Sequence, residues 1–326
     1  MADCLHHQAS EIGWLEAALR GMLVGQEGAM MRYGTGVICV LCAGALWSLM
    51  GVFLRQIESP STWAILFWRS VGTIPALLLF IGWRAGGNPF PMIRSVGRAG
   101  VIGGLCLVAA FGGSIYAIQS TTVANAVFLF TASPFVAALL GWLILREAVR
   151  PATWAAMALA VIGMFVMVRE GLAVGALSGN IAAILSAAGF GAFAVALRWG
   201  RVADATPIAL LGAVFAAFTA GAVLMVQGVS PVISAPDTAI ALFMGAGILA
   251  TGMILFTLGA RVLPAAEATL LSLIEVMLAP VWVWLFLRET ASAGTFVGGA
   301  IMLVAVMMNA FAGTRGARIQ GVASPP

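Results

Sequence analysis

Three charged residues stand alone inside long apolar runs of the sequence: Arg69 in WAILFWRSVGTIPALLLF, and Glu267 and Glu275 in PAAEATLLSLIEVMLAP. A charge held at the centre of a bilayer costs about 2.5 to 3.5 kcal/mol even on insertion scales, so such groups mark function by default. Glu275 falls about 16 Å along its run from Pro264 at the helical rise, close to the middle of a membrane. Trp282, seven residues on, shares nearly the same helix face, and Glu267 sits about 80° round it. A carboxyl at that depth can hold a substrate's ammonium group or take up a coupling proton, or it can tie helices together by pairing with a cation. Arg69 is the available cation, and its expected role is structural pairing or coupling.

Other residues join this set by position. Trp47, Trp282 and Tyr116 can wall a cavity for a flat or aliphatic solute, or serve as packed aromatics. Pro134 and Pro280 interrupt their helices, freeing carbonyls that a solute or a cavity can use, or they kink the helices without moving. Catalytic equipment is not evident. The sequence has no Walker loop and no dinucleotide fingerprint. The pair Cys39/Cys42 lies within GVICVLCAGALW, while the two histidines, His6 and His7, are far away in a polar segment. No metal, cofactor or catalytic residue is expected, and the chain reads as a non-enzyme.

The elements that carry these residues are set by hydropathy. With 62% hydrophobic and 9% charged residues, the chain has far more apolar surface than a soluble core absorbs. Ten apolar runs are read as transmembrane helices: Gly34 to Leu54, Thr62 to Trp83, Ala99 to Gln119, Thr122 to Leu145, Ala152 to Val168, Ser178 to Leu197, Thr206 to Gln227, Thr238 to Leu258, Pro264 to Leu287 and Thr295 to Ala312. The polar stretch 1–32 reads as an extension without a secretory signal, with Met30 and Met31 as alternative starts. Residues 314–326 read as a tail.

All sixteen basic residues are arginines. Placing the N-terminus in the cytoplasm puts twelve of them inside and three, Arg55, Arg169 and Arg288, outside, with Arg69 in the membrane. That bias predicts a multi-pass protein of the bacterial inner membrane with both termini cytoplasmic. The arginines never cluster with interleaved aromatics, which excludes a nucleic-acid partner.

A shift of 142 residues lays AVFLFTASPFVAALLGWLILRE, ending at Glu147, on ATLLSLIEVMLAPVWVWLFLRE, ending at Glu289. Both end in Trp-Leu-x-Leu-Arg-Glu, and 11 of 35 aligned positions are identical. Glu275 then pairs with Ser133, and Glu267 with Asn125, so the two halves carry polar residues at equal spacing. The repeats are expected over 33–170 and 171–313. Five helices per repeat is an odd number, so the second copy enters the membrane inverted, the arrangement that gives secondary transporters a midplane site. The expected fold is an all-α integral membrane protein of ten transmembrane helices in two inverted five-helix repeats.

With ANAVFLFTASPFVAALLGWLILRE, its second copy and FWRSVGTIPALLLF, residues 33 to 313 resemble an EamA-type transporter of the drug/metabolite transporter superfamily. The resemblance implies solute transport through a basket of helices 1, 3, 4, 6, 8 and 9, and a small-molecule substrate, an amino acid being exported as the leading expectation. Proton coupling and a monomeric or homodimeric state go with that reading. Its rivals are an uptake carrier for another small solute and a membrane enzyme acting on a lipid-linked substrate.

Overall fold

A computed structural model describes residues 33–59, 61–149, 151–173, 176–202, 204–260, 262–263, 268, 271–272 and 274–322, with backbone alone over 170–173 and 309–322. The extension 1–32, Pro264 and Glu267 lie outside the described residues. In a bilayer every backbone N–H and C=O must find its partner within the protein, and the apolar runs meet that condition as helices. The described residues form an all-α membrane protein of ten apolar helices, with a short helix Phe90–Ser95 before the third of them. They are α1 (Tyr33–Arg55), α2 (Thr62–Arg84), α3 (Gly97–Ser120), α4 (Val123–Leu145), α5 (Pro151–Arg169), α6 (Leu177–Trp199), α7 (Thr206–Gln227), α8 (Ala235–Ala260), α9 (Ile274–Leu287) and α10 (Ala293–Met308). The first eight are each long and apolar enough to cross a membrane, while α9 and α10 are shorter within the described residues.

Side chains fix several helix starts. Ser61 Oγ accepts from Ala64 N–H at 3.3 Å, Thr122 Oγ1 from Asn125 N–H at 3.2 Å, and Ser234 Oγ from Asp237 N–H at 3.1 Å. Each meets one of the donors that a helix N-terminus leaves unpaired. The Ser234 cap moves the start of α8 three residues before Thr238, the start expected from hydropathy.

The interruptions are more varied than two prolines suggest. Helix α4 breaks at Thr131–Ala132 into Val123–Phe130 and Ser133–Leu145, so Pro134 opens its second half rather than bending its middle. Proline lacks the N–H that would bond Phe130 O and its ring crowds that carbonyl. Pro280 lies inside α9 and Pro75 inside α2. In α8 the segment Met244–Ala250 is wound as a π-helix.

The packing repeats as the sequence does. Helix α3 runs along α6, as its counterpart α8 does along α1, where Gly36 meets Gly259 and Trp47 covers Gly252. Helices α2 and α7 pack together, as do α5 and α10. Exchanging the two halves maps this pattern onto itself, as expected of two inverted five-helix repeats.

Candidate functional site

A cavity of about 170 Å³ lies among the middles of α1, α3, α6 and α8, closed by parts of α2, α4 and α9. Among the described residues, none from α5, α7 or α10 belongs to its wall. Its polar residues are Glu275 and Arg69 with Ser48, Ser114 and Ser186, and Trp47, Phe111, Phe130 and Phe190 are its aromatic ones. The helix set expected from the resemblance is thus joined by α2, through Arg69.

Each serine hydroxyl is spent as a donor on its own helix or a neighbour. Ser48 donates to Ala45 O at 2.6 Å, Ser114 to Phe111 O at 2.9 Å and Ser186 to Ala110 O at 2.6 Å. What they leave for a ligand is lone pairs, which suit a donor such as an ammonium group. Glu275 sits in the first turn of the described α9, half-buried, and adds a carboxylate to these acceptors.

Arg69 is 3% exposed, and its guanidinium carbon lies 5.0 Å from the centre of the Phe111 ring. The backbone around it is tightly held. Thr73 Oγ1 donates to Arg69 O at 2.8 Å, and a Cβ on Gly245 in the π-helical segment would overlap the same carbonyl. Glycine at that position is what lets α8 approach α2 so closely. A π-helical turn frees backbone groups and is frequent at functional sites. Here Leu249 O lies 3.5 Å from Trp47 Nε1.

The residues singled out in the sequence are partly dispersed. Glu275, Arg69 and Trp47 meet at the cavity, yet the expected pairing of Arg69 with Glu275 is not formed. Arg69 makes no ion pair among the described residues and rests on Phe111 instead. Trp282 stands one layer back, donating from Nε1 to Ser48 Oγ at 2.9 Å. Tyr116 is 42% exposed and lines a separate opening near Arg55 and Gln119. Asn125 is buried against Asn180 of α6, to which it donates a hydrogen bond, and Ser133 is buried outside the lining. Pro280 lines a crevice with Trp284 and Phe296. Glu267 lies outside the described residues. Sequence reading did not single out Ser48, Ser114, Ser186, Phe111, Phe130 or Phe190; a lone serine or phenylalanine in an apolar run carries little signal.

At each end of the bundle a glutamate of the repeated Arg-Glu pair meets an arginine of the other half. Glu289 Oε2 accepts from Arg55 Nε at 2.9 Å, its Oε1 accepts from Val123 N–H at 2.7 Å, and Arg55 Nη2 donates to Thr121 O at 2.6 Å. At the opposite end Glu147 Oε2 accepts from Arg198 Nη1 at 2.5 Å, and Arg198 Nη2 donates to Ala137 O at 2.8 Å. The preceding arginines adopt the same left-handed turn, with φ of 55° at Arg146 and 54° at Arg288.

No curated protein matches the chain. In three dimensions 17 solved chains match it. One, described only as "Crystal structure of protein", superposes with a TM-score of 0.55 at 17% identity, over 85% of this chain and 97% of its own. That likeness shows a shared fold. The profile of the EamA-like transporter family matches residues 34–169 and again residues 177–311. A match to both halves, over most of the sequence, agrees with the ten-helix duplicated fold, and the chain belongs to the EamA-like transporter family.

Proposed function

We propose that this membrane transporter of small solutes exports amino acids from the bacterial cytoplasm across the inner membrane by alternating access, with both termini cytoplasmic. The supporting observation is the cavity itself: a chamber between the two halves, with largely apolar walls, whose lining includes Glu275 and three serines. Glu275 receives the substrate's ammonium group and exchanges it for a coupling proton. Trp47 forms part of the wall, and Trp282 holds Ser48 in place.

The two Arg–Glu clasps supply the gates. Each joins the halves at one membrane face, so parting one opens the cavity to that side while the other keeps the far side shut. Alternation of this kind is what two inverted repeats provide. The arginine bias places the Arg55–Glu289 clasp at the periplasmic face and the Arg198–Glu147 clasp at the cytoplasmic face.

Counterflow tests the reading. Purified protein in proteoliposomes preloaded with unlabelled amino acids should accumulate the same amino acids in radiolabelled form, and amines or nucleosides less or not at all. Failure of every solute in such a panel, with turnover of a lipid in its place, would transfer the chain to the enzyme class.

A further inference from the structure

We infer that the Arg69 guanidinium is the anchor for a carboxylate group of the transported molecule, so that the cavity takes an α-amino acid with an apolar side chain by both its charged groups. The inference deepens the proposed function and rests on it, since it concerns the same cavity.

The observation is an unpaired cation. Arg69 is 97% buried, and its Nε and Nη2 atoms have no hydrogen-bond partner among the described residues. These two nitrogens lie along one edge of the guanidinium, the edge whose parallel N–H bonds grip the two oxygens of a carboxylate. The guanidinium carbon lies over the Phe111 ring, 5.0 Å from its centre, a cation–π contact that supplies no counter-charge. A buried donor without an acceptor is costly and calls for an explanation, and a buried charge without a counter-charge costs more.

The surroundings limit what the missing partner can be. Among the described residues lining the cavity, the only carboxylate is that of Glu275, which is not paired with Arg69. A solute with only a cationic group would leave the Arg69 edge bare and bring a second positive charge into the same chamber. A solute with only a carboxylate would leave Glu275 and the serine lone pairs unanswered. A zwitterion meets both. The remaining wall, with Leu107, Phe111, Phe130, Phe190, Leu249 and Met253, presents apolar surface to the side chain. The tight contact of Gly245 with the Arg69 carbonyl and the bond from Thr73 to the same atom hold the backbone from which the fork extends.

The test uses L-leucine, L-leucinamide and 3-methylbutylamine, three molecules with the same apolar body and ammonium group, of which the first alone has a carboxylate. Each competes for counterflow of radiolabelled L-leucine by the full-length protein in proteoliposomes, and each is also scored for thermal stabilisation of the purified protein. Leucinamide and the amine are expected to compete at least about tenfold more weakly than leucine, the scale of charge-assisted hydrogen bonds. In Arg69→Gln the three should come within about twofold of one another, and Arg69→Lys, which keeps the charge without the fork, should fall between. Should Arg69→Gln fail to insert, the order of the three ligands on the unaltered protein still decides. Equal potency of all three there would overturn the inference while leaving transport intact. Leucine that neither exchanges nor stabilises would also overturn it. If other amino acids exchange in that case the proposed function stands, and if no amino acid does, both readings fall.

Discussion

The two ends of the bundle carry the same Arg-Glu pair in the same turn, yet they are fastened differently. At one end Arg55 and Glu289 are 28% and 19% exposed, and three hydrogen bonds join α1, α9 and the start of α4. At the other, Arg198 and Glu147 are 43% and 42% exposed, and two bonds hold the end of α6 to α4. Duplication has copied the local geometry: Glu147 N–H and Glu289 N–H each bond the carbonyl six residues back, at 3.2 Å, to Gly141 and Val283. It has not copied the surroundings. An exposed ion pair is worth about 0 to 1 kcal/mol, because water screens it and two long side chains must be ordered. A more enclosed one costs more to break, since its partners are left poorly solvated. A transporter with one firm gate and one loose gate rests with the loose side readier to open, and under the proposed orientation that side is the cytoplasm, where an exporter loads.

The largest effect is expected from Glu289→Ala. It strands Arg55 and leaves Val123 N–H without its acceptor, and unfolding of the purified protein in detergent should show a loss of about 2 kcal/mol. Glu147→Ala removes the equivalent residue at the exposed end, and the same measurement should register no more than about 1 kcal/mol. Equal losses would mean that the burial difference carries no energetic weight. The smallest effect sharpens the comparison from the other direction. Arg146→Gly and Arg288→Gly each relieve a left-handed backbone at a helix end, and each should stabilise by about 1 kcal/mol or less. The two gains should match, because φ is nearly the same at both. Unequal gains would place part of the asymmetry in the turns and not in the clasps.

Much of the scaffold was legible in the sequence because lipid permits so few alternatives. Ten apolar runs and the repeated WLxLRE ending sufficed for ten helices in two halves. Details that depend on rotation about a helix axis were not. Tyr116 and Phe111 are five residues apart in α3, yet the first lines an outer opening and the second the cavity. The π-helical winding of MGAGILA leaves no mark in a uniformly apolar stretch, and it helps set how α8 meets Arg69. The charge of Arg69 was plain from the sequence; that it rests on Phe111 with no ion pair among the described residues is a matter of tertiary placement. Ser114 escaped notice because serines in membrane helices ordinarily bond backward to the backbone, as it does to Phe111 O, and Ser186 because its bond crosses to Ala110 O of α3, a contact set by packing.

The central claim is that Glu275 holds the transported molecule in the cavity rather than holding the helices together. Glu275→Gln keeps the shape of the side chain and removes its charge, and exchange in proteoliposomes and melting temperature can be read on one purified preparation. The account predicts that exchange of amino acids is lost while the melting temperature stays nearly unchanged, because Glu275 makes no ion pair among the described residues. Exchange at the unaltered rate, or a fall in stability of several kcal/mol of the kind seen when a buried pair is broken, would contradict it.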